Sequence, residues 1–155
     1  MERLCATIFI VVEETKMKKN KLSIVVLVMA LAALSLTACG SNAIGITLTN
    51  HKITPTVTSA RAGDITFNIT NGSTDLIHEV IVVKTDLAAD KLPLRGDGSG
   101  RVDETKIDVR GAKEDIPAGK SETLTVNLSA GRYVLMCNVD DHYSKKMFIE
   151  FTVTP

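Results

Sequence analysis

Cys137, His142 and Met147 follow one another at intervals of five residues near the carboxyl end, within the stretch from Tyr133 to Met147. A thiolate, an imidazole and a thioether on one short loop suit copper better than zinc, because a structural zinc site takes four nitrogen or sulfur ligands from histidine and cysteine. Two histidines and one cysteine in a trigonal arrangement, with a long axial methionine, are the donors of a blue-copper centre. The loop lacks one imidazole. His78 supplies it from Leu76-Ile77-His78-Glu79-Val80, in phase with Leu76, Val80 and Val82. A histidine on a remote strand ties that strand to the ligand loop and fixes the donors before the metal arrives. Taken singly, Met147 reads as a core residue in phase with Ile149 and Phe151, Cys137 as a buried inert thiol, His78 as an interior histidine and His142 as an exposed one. Their joint order points to one mononuclear copper site. The third histidine, His51 in Asn50-His51-Lys52, reads as a surface residue near a strand end.

Composition narrows the alternatives. The chain has 155 residues, with 18 basic and 18 acidic side chains and only three histidines. That length suits one domain, and the charge balance argues against a nucleic-acid partner, which a basic excess normally marks. Three imidazoles are too few for a multicopper oxidase or a binuclear zinc hydrolase. Four ligands on one copper leave no open position for a substrate, and no nucleophile–base pair stands out, so the chain is not read as an enzyme.

The amino-terminal quarter looks like an export signal. Lys18, Lys19 and Lys21 precede an almost unbroken apolar run from Leu22 to Ala38, the charged-then-apolar layout of such signals. The run ends in Leu36-Thr37-Ala38-Cys39-Gly40, which resembles a bacterial lipobox, with Cys39 as the lipidated residue. The expected organisation is an upstream extension over 1–16, a lipoprotein signal peptide over 17–38, an anchor and short linker over 39–43 and a copper-binding domain over 44–155. An apolar run of about 17 residues can also just span a bilayer, but the cysteine at the expected cleavage point favours the lipoprotein. Cys5 would be removed with the signal, leaving Cys137 as a lone thiol without an internal disulfide partner.

The elements that position the donors are strands. Ile44, Ile46 and Leu48, then Ile65, Phe67 and Ile69, then Leu124, Val126 and Leu128 alternate with small polar residues, as half-buried strands do. Ile53, Pro55 and Val57 alternate in the same way, with Pro55 expected on an edge strand or at a bulge. Leu76 to Val83 is apolar on both faces, as an interior strand is. Turn signals at Ala62-Gly63-Asp64, Asn71-Gly72-Ser73, Pro117-Ala118-Gly119 and Ala130-Gly131 separate the segments. About seven short strands without a long helix predict an all-β, Greek-key antiparallel β-sandwich. The span 84–119 shows no sustained alternation and reads as a long irregular loop, with one or two helical turns near Asp86 to Leu92 and a flexible tip at Asp97-Gly98-Ser99-Gly100. Asp97, Asp103 and Glu104 are hard oxygen donors, but their spacing does not fit a calcium loop, and a solvated loop is the simpler reading.

The order of a strand histidine followed by Cys-x4-His-x4-Met resembles the cupredoxins, and in particular small plastocyanin- and sulfocyanin-like bacterial domains that are often lipid-anchored. The matching pieces are Ile77-His78-Glu79-Val80, Gly131 to Val139, and His142 to Met147. The resemblance implies a Greek-key sandwich with copper at one pole, held by His78, Cys137, His142 and Met147. It also implies single-electron transfer to a separate redox protein, with His142 near the surface as the exit path. Three positions depart from the family pattern. Asp140-Asp141 stand where Pro-Gly is common, Lys146 stands where a glycine often precedes the methionine, and Glu79 stands where many members have an asparagine tying the ligand segments together. Aspartate tolerates the left-handed backbone better than most residues, so the turn remains feasible, and two carboxylates near copper would favour Cu(II).

The expected function is therefore an exported, lipid-anchored, monomeric electron carrier, on the outer face of the cell membrane or in the periplasm. A copper-trafficking or copper-tolerance protein without redox turnover is the alternative. Such proteins usually expose Met- and His-rich tracts, and this sequence has none.

Overall fold

The structure, a computed structural model, describes residues 42–155; the extension, the signal sequence and Cys39 lie outside them. Among the described residues, nine strands form two sheets. The first sheet runs in the order β2 (Lys52–Pro55), β1 (Ala43–Thr49), β4 (Gly63–Asn71) and β7 (Ser121–Leu128). The second runs in the order β3 (Ser59–Arg61), β9 (Phe148–Thr154), β8 (Gly131–Met136), β5 (His78–Lys84) and β6 (Asp108–Ile116). The result is the all-β, Greek-key-like sandwich expected from the alternation. Its sheets are mixed, however, because β1 pairs with β4 and β3 with β9 in parallel.

Alternation places the core. Ile44, Ile46 and Leu48 of β1, Ile65, Phe67 and Ile69 of β4, and Phe151 and Val153 of β9 point between the sheets, while their threonine neighbours face outward. Phe67 and Phe151 meet edge to face across the two sheets, with centroids 5.7 Å apart. Pro55 ends the edge strand β2, where its missing N–H costs no ladder bond. The alternation stops there, and Val57 is exposed.

The span 84–119 is not a single irregular loop. Asp108–Ile116 is a nine-residue strand, β6, paired with β5. Its side chains show no alternation because β6 is an edge strand with register shifts against β5 between His78 and Val80 and between Val82 and Val83. A bulge breaks the two-residue period. The segment from Thr85 to Ile107 forms bends, a one-turn 3-10 helix (Glu104–Lys106) and a bridge between Leu94 and Val102, and the expected helical turns near Asp86 to Leu92 are absent. Nor is it simply solvated. Ala89, Leu92 and Val102 are buried on the outer face of the second sheet, against Ile81, Val83, Val134, Met136 and Tyr143. This second apolar cluster is the reason β5 is apolar on both faces.

Gly111 marks where β6 crosses close to β7. A β-carbon there would collide with Cγ1 of Val126. Overpacking of this kind costs about 1–3 kcal/mol, so Gly111→Ala should lower stability by that amount in urea unfolding, and Val126→Ala should restore part of it.

Candidate metal centre

Strand direction brings the donors to one pole. His78 is the first residue of β5, Cys137 follows the last residue of β8, and Met147 precedes the first residue of β9. Antiparallel pairing of β5 with β8 and of β8 with β9 superimposes these three ends. The ligand loop closes through Cys137 N–H to Met147 O (3.0 Å), Met147 N–H to His142 O (3.0 Å) and His142 N–H to Val139 O (2.9 Å).

At this pole His78, Cys137 and His142 form a buried three-donor cluster. The Cys137 sulfur lies 3.8 Å from Nδ1 of His78 and 3.3 Å from Nδ1 of His142. Both rings therefore present the same nitrogen to the thiol. On the far side of its ring, His78 Nε2 is hydrogen-bonded to the hydroxyl of buried Ser73 at 2.8 Å. With Nδ1 ligating a metal, the proton sits on Nε2 and is donated to that hydroxyl, which is how an outer hydrogen bond orients a ligating histidine.

The electrostatics are compatible with a metal. Burial, with the nearby His142 and His51, lowers the His78 pKa from 6.5 to about 4, so the ring stays neutral. Burial also lowers that of His142. Desolvation raises the Cys137 thiol to about 11, opposed by the backbone N–H groups of Val139 and Glu79, which stabilise negative charge on sulfur. A metal displaces the thiol proton on binding, and amides already directed at the sulfur then meet the thiolate. Met147 is fully buried in the main core, with its backbone bonded to both neighbouring donors. A thiolate and two imidazoles, converging as His78, Cys137 and His142 do, fit one copper ion of the blue type.

The three positions singled out in the sequence have defined roles here. Asp141 takes φ of 60° and Lys146 φ of 69°, so both stay left-handed where glycine is common. Glu79 is buried and accepts from the Asn138 N–H at 2.8 Å, tying the His78 strand to the Cys137 strand through its carboxylate. Desolvation raises its pKa, and the Asn138 amide opposes this.

Two sets of residues escaped the sequence reading. Asn138 and Tyr143 fasten the Thr85–Ile107 segment to the ligand loop. The Asn138 side chain accepts from Val102 N–H (2.6 Å) and donates to Val102 O (3.1 Å) and Glu104 (2.7 Å). The Tyr143 hydroxyl accepts from Leu92 N–H (3.0 Å) and donates to Ala89 O (2.7 Å). The glycine-rich tip, read as flexible, docks on the same loop through Asp141 N–H to Ser99 O at 2.8 Å. His51, read as a surface residue near a strand end, is the second. It is half-buried rather than a bystander, and its ring stands edge-on to His142, with centroids 4.7 Å apart.

No protein-family model and no curated protein matches the sequence. Solved structures do match in fold. Reduced auracyanin from Roseiflexus castenholzii superposes with a TM-score of 0.57 at 23% identity, over 74% of this chain and 98% of that one. Auracyanin A, a "blue" copper protein from Chloroflexus aurantiacus, gives 0.52 at 18% identity, over 72% and 99%. Rusticyanin from Thiobacillus ferrooxidans gives 0.51 at 17% identity, over 72% and 76%. At these identities the likeness is one of fold, and the fold is cupredoxin-like.

Proposed function

We propose that this cupredoxin-like chain is an exported single-electron carrier that holds one copper ion through His78, Cys137, His142 and Met147. The observation that carries the reading is the buried Cys137 sulfur facing Nδ1 of both histidines. Bound copper supplies a one-electron couple between its cuprous and cupric states. The chain supplies rigidity: Ser73 fixes His78, Glu79 and Asn138 clamp two strands, and the core excludes water from Cys137. His142, 5% exposed against 0% for His78 and Cys137, is the donor nearest the surface and the natural exit. Beside it Asp140 and Asp141 form an acidic pair that steers a basic redox protein. Arg101 at 3.4 Å and Lys145 at 2.9 Å soften that field. A monomer meets this role, since one chain holds all four donors.

Voltammetry of the copper-loaded protein tests the carrier against the trafficking alternative. A reversible one-electron wave, with copper retained through repeated cycles, is the expected result. Loss of the metal on reduction would instead mark a copper-delivery protein.

The anchor at Cys39 rests on the lipobox-like sequence. Lipidation with several chains gives stable membrane residence where one does not. Mass spectrometry of the membrane-fraction protein tests the anchor: a chain that starts at an acylated Cys39 is the expected result, and a chain that retains the Leu22 to Ala38 run without acylation would contradict it.

A further inference from the structure

His51, Asp141 and His142 form a second group of donors at the same pole, with one ligand atom from each lying within 4.8 Å of the others. His51 comes from the turn between β1 and β2, whereas Asp141 and His142 come from the ligand loop. Nδ1 of His142 faces Cys137 at 3.3 Å, so Nε2 lies on the opposite side of the ring. The His51 ring stands at 88° to that of His142. The two groups differ in access. His78, Cys137 and His142 are all buried, whereas Asp141 is exposed and His51 half-exposed. Two imidazoles and a carboxylate match divalent zinc or copper, with water completing the shell.

We propose that His51, Asp141 and the outer nitrogen of His142 are a surface capture site for a divalent transition-metal ion, copper above all, that loads the buried cluster. The inference rests on the copper reading of that cluster and adds its entry route. An ion reaching Cys137 must shed its water and pass the one donor of the inner cluster that is not fully buried, His142. A neutral imidazole has one in-plane lone pair. When His142 binds through Nε2 its proton sits on Nδ1; when it binds through Nδ1 the proton sits on Nε2. The shared ring therefore serves the two sites in turn, and hand-over needs only that exchange together with release of the Cys137 thiol proton to solvent. Lys145 engages Oδ1 of Asp141 at 2.9 Å, so capture uses the second carboxylate oxygen or displaces the ammonium. His51 and Asp141 both hold left-handed backbone, at φ of 56° and 60°. Histidine and aspartate are among the residues that tolerate it.

The test uses the metal-free full chain mixed rapidly with one equivalent of Cu(II) and followed by visible absorption. The wild type should show a pale early species that converts to the intense thiolate band. His51→Asn, which keeps the left-handed turn, should reach the same final band without the pale species and about 10-fold more slowly, the scale of losing an outer partner at a metal site. An unchanged time course in that variant would overturn the capture site. A second measurement separates this inference from the reading beneath it. In Cys137→Ser the inner site is disabled, and Cu(II) should still bind weakly, with wide hyperfine splitting. Adding His51→Asn, which removes a direct ligand of the capture site, should weaken that residual binding by at least about 10-fold, the lower end for losing even an outer partner. Equal residual affinity in the single and double variants refutes capture even where the wild type develops the thiolate band. Absence of the band in the wild type refutes the electron-carrier reading instead, and the residual binding still decides on capture.

Discussion

Asn138→Ala should lower the free energy of unfolding by about 2–5 kcal/mol, since each buried polar group left without a partner costs roughly 1–3 kcal/mol. Its amide satisfies both the N–H and the C=O of Val102, which is fully buried. Truncation orphans both groups, and solvent has no ready access to either. The Asn138 backbone N–H keeps its bond to Glu79, so the damage starts on the Thr85–Ile107 side. Release of Val102 uncovers Ile81, Val83, Val134 and Met136 on the outer face of the second sheet. A denaturation midpoint that falls at unchanged slope would locate the effect in stability, and a loss below about 1 kcal/mol would mean that the segment is not fastened by these bonds.

Cys137→Ser should abolish strong visible absorption on addition of copper and weaken copper binding by more than about 100-fold, above the range for losing an outer-shell partner. The intense band of a blue-copper site comes from charge transfer between thiolate and metal, which a serine hydroxyl at neutral pH does not provide. Burial raises the thiol to about 11, so the free protein carries a proton that the metal displaces. The Val139 and Glu79 amides that oppose this shift lie on the backbone and survive the substitution. The fold should therefore persist in the variant, which unfolding of the metal-free proteins would check. Copper affinity within a few-fold of wild type would remove Cys137 from the site.

The convergence of His78, Cys137 and His142 was legible because their chemistry resides in residue type and spacing. Cysteine and histidine five residues apart, with His78 on a doubly apolar strand, point to a metal and to the strands that must meet. The sandwich was legible for a similar reason: threonine alternating with isoleucine or phenylalanine in β1 and β4 admits few other readings. What was hidden depended on partners distant in sequence. β6 carries no alternation because it lies at an edge and is bulged against β5. The cover formed by Ala89, Leu92 and Val102 had an indirect signal, since Val134 and Met136 on β8, like Ile81 and Val83 on β5, point away from the main core and need something to bury them. His51 had no local signal. Parallel pairing of β1 with β4, with Leu48 opposite Asn71, carries the β1–β2 turn to the pole occupied by His78 and His142, and nothing around Asn50-His51-Lys52 encodes that register.

Electron paramagnetic resonance of the purified protein with one equivalent of Cu(II), recorded beside its visible spectrum, tests the central claim most directly. An intense thiolate-to-copper band with narrow hyperfine splitting is the expected result, because it requires Cys137, His78 and His142 on one metal. A pale solution with wide splitting would place copper on surface imidazoles and contradict the account.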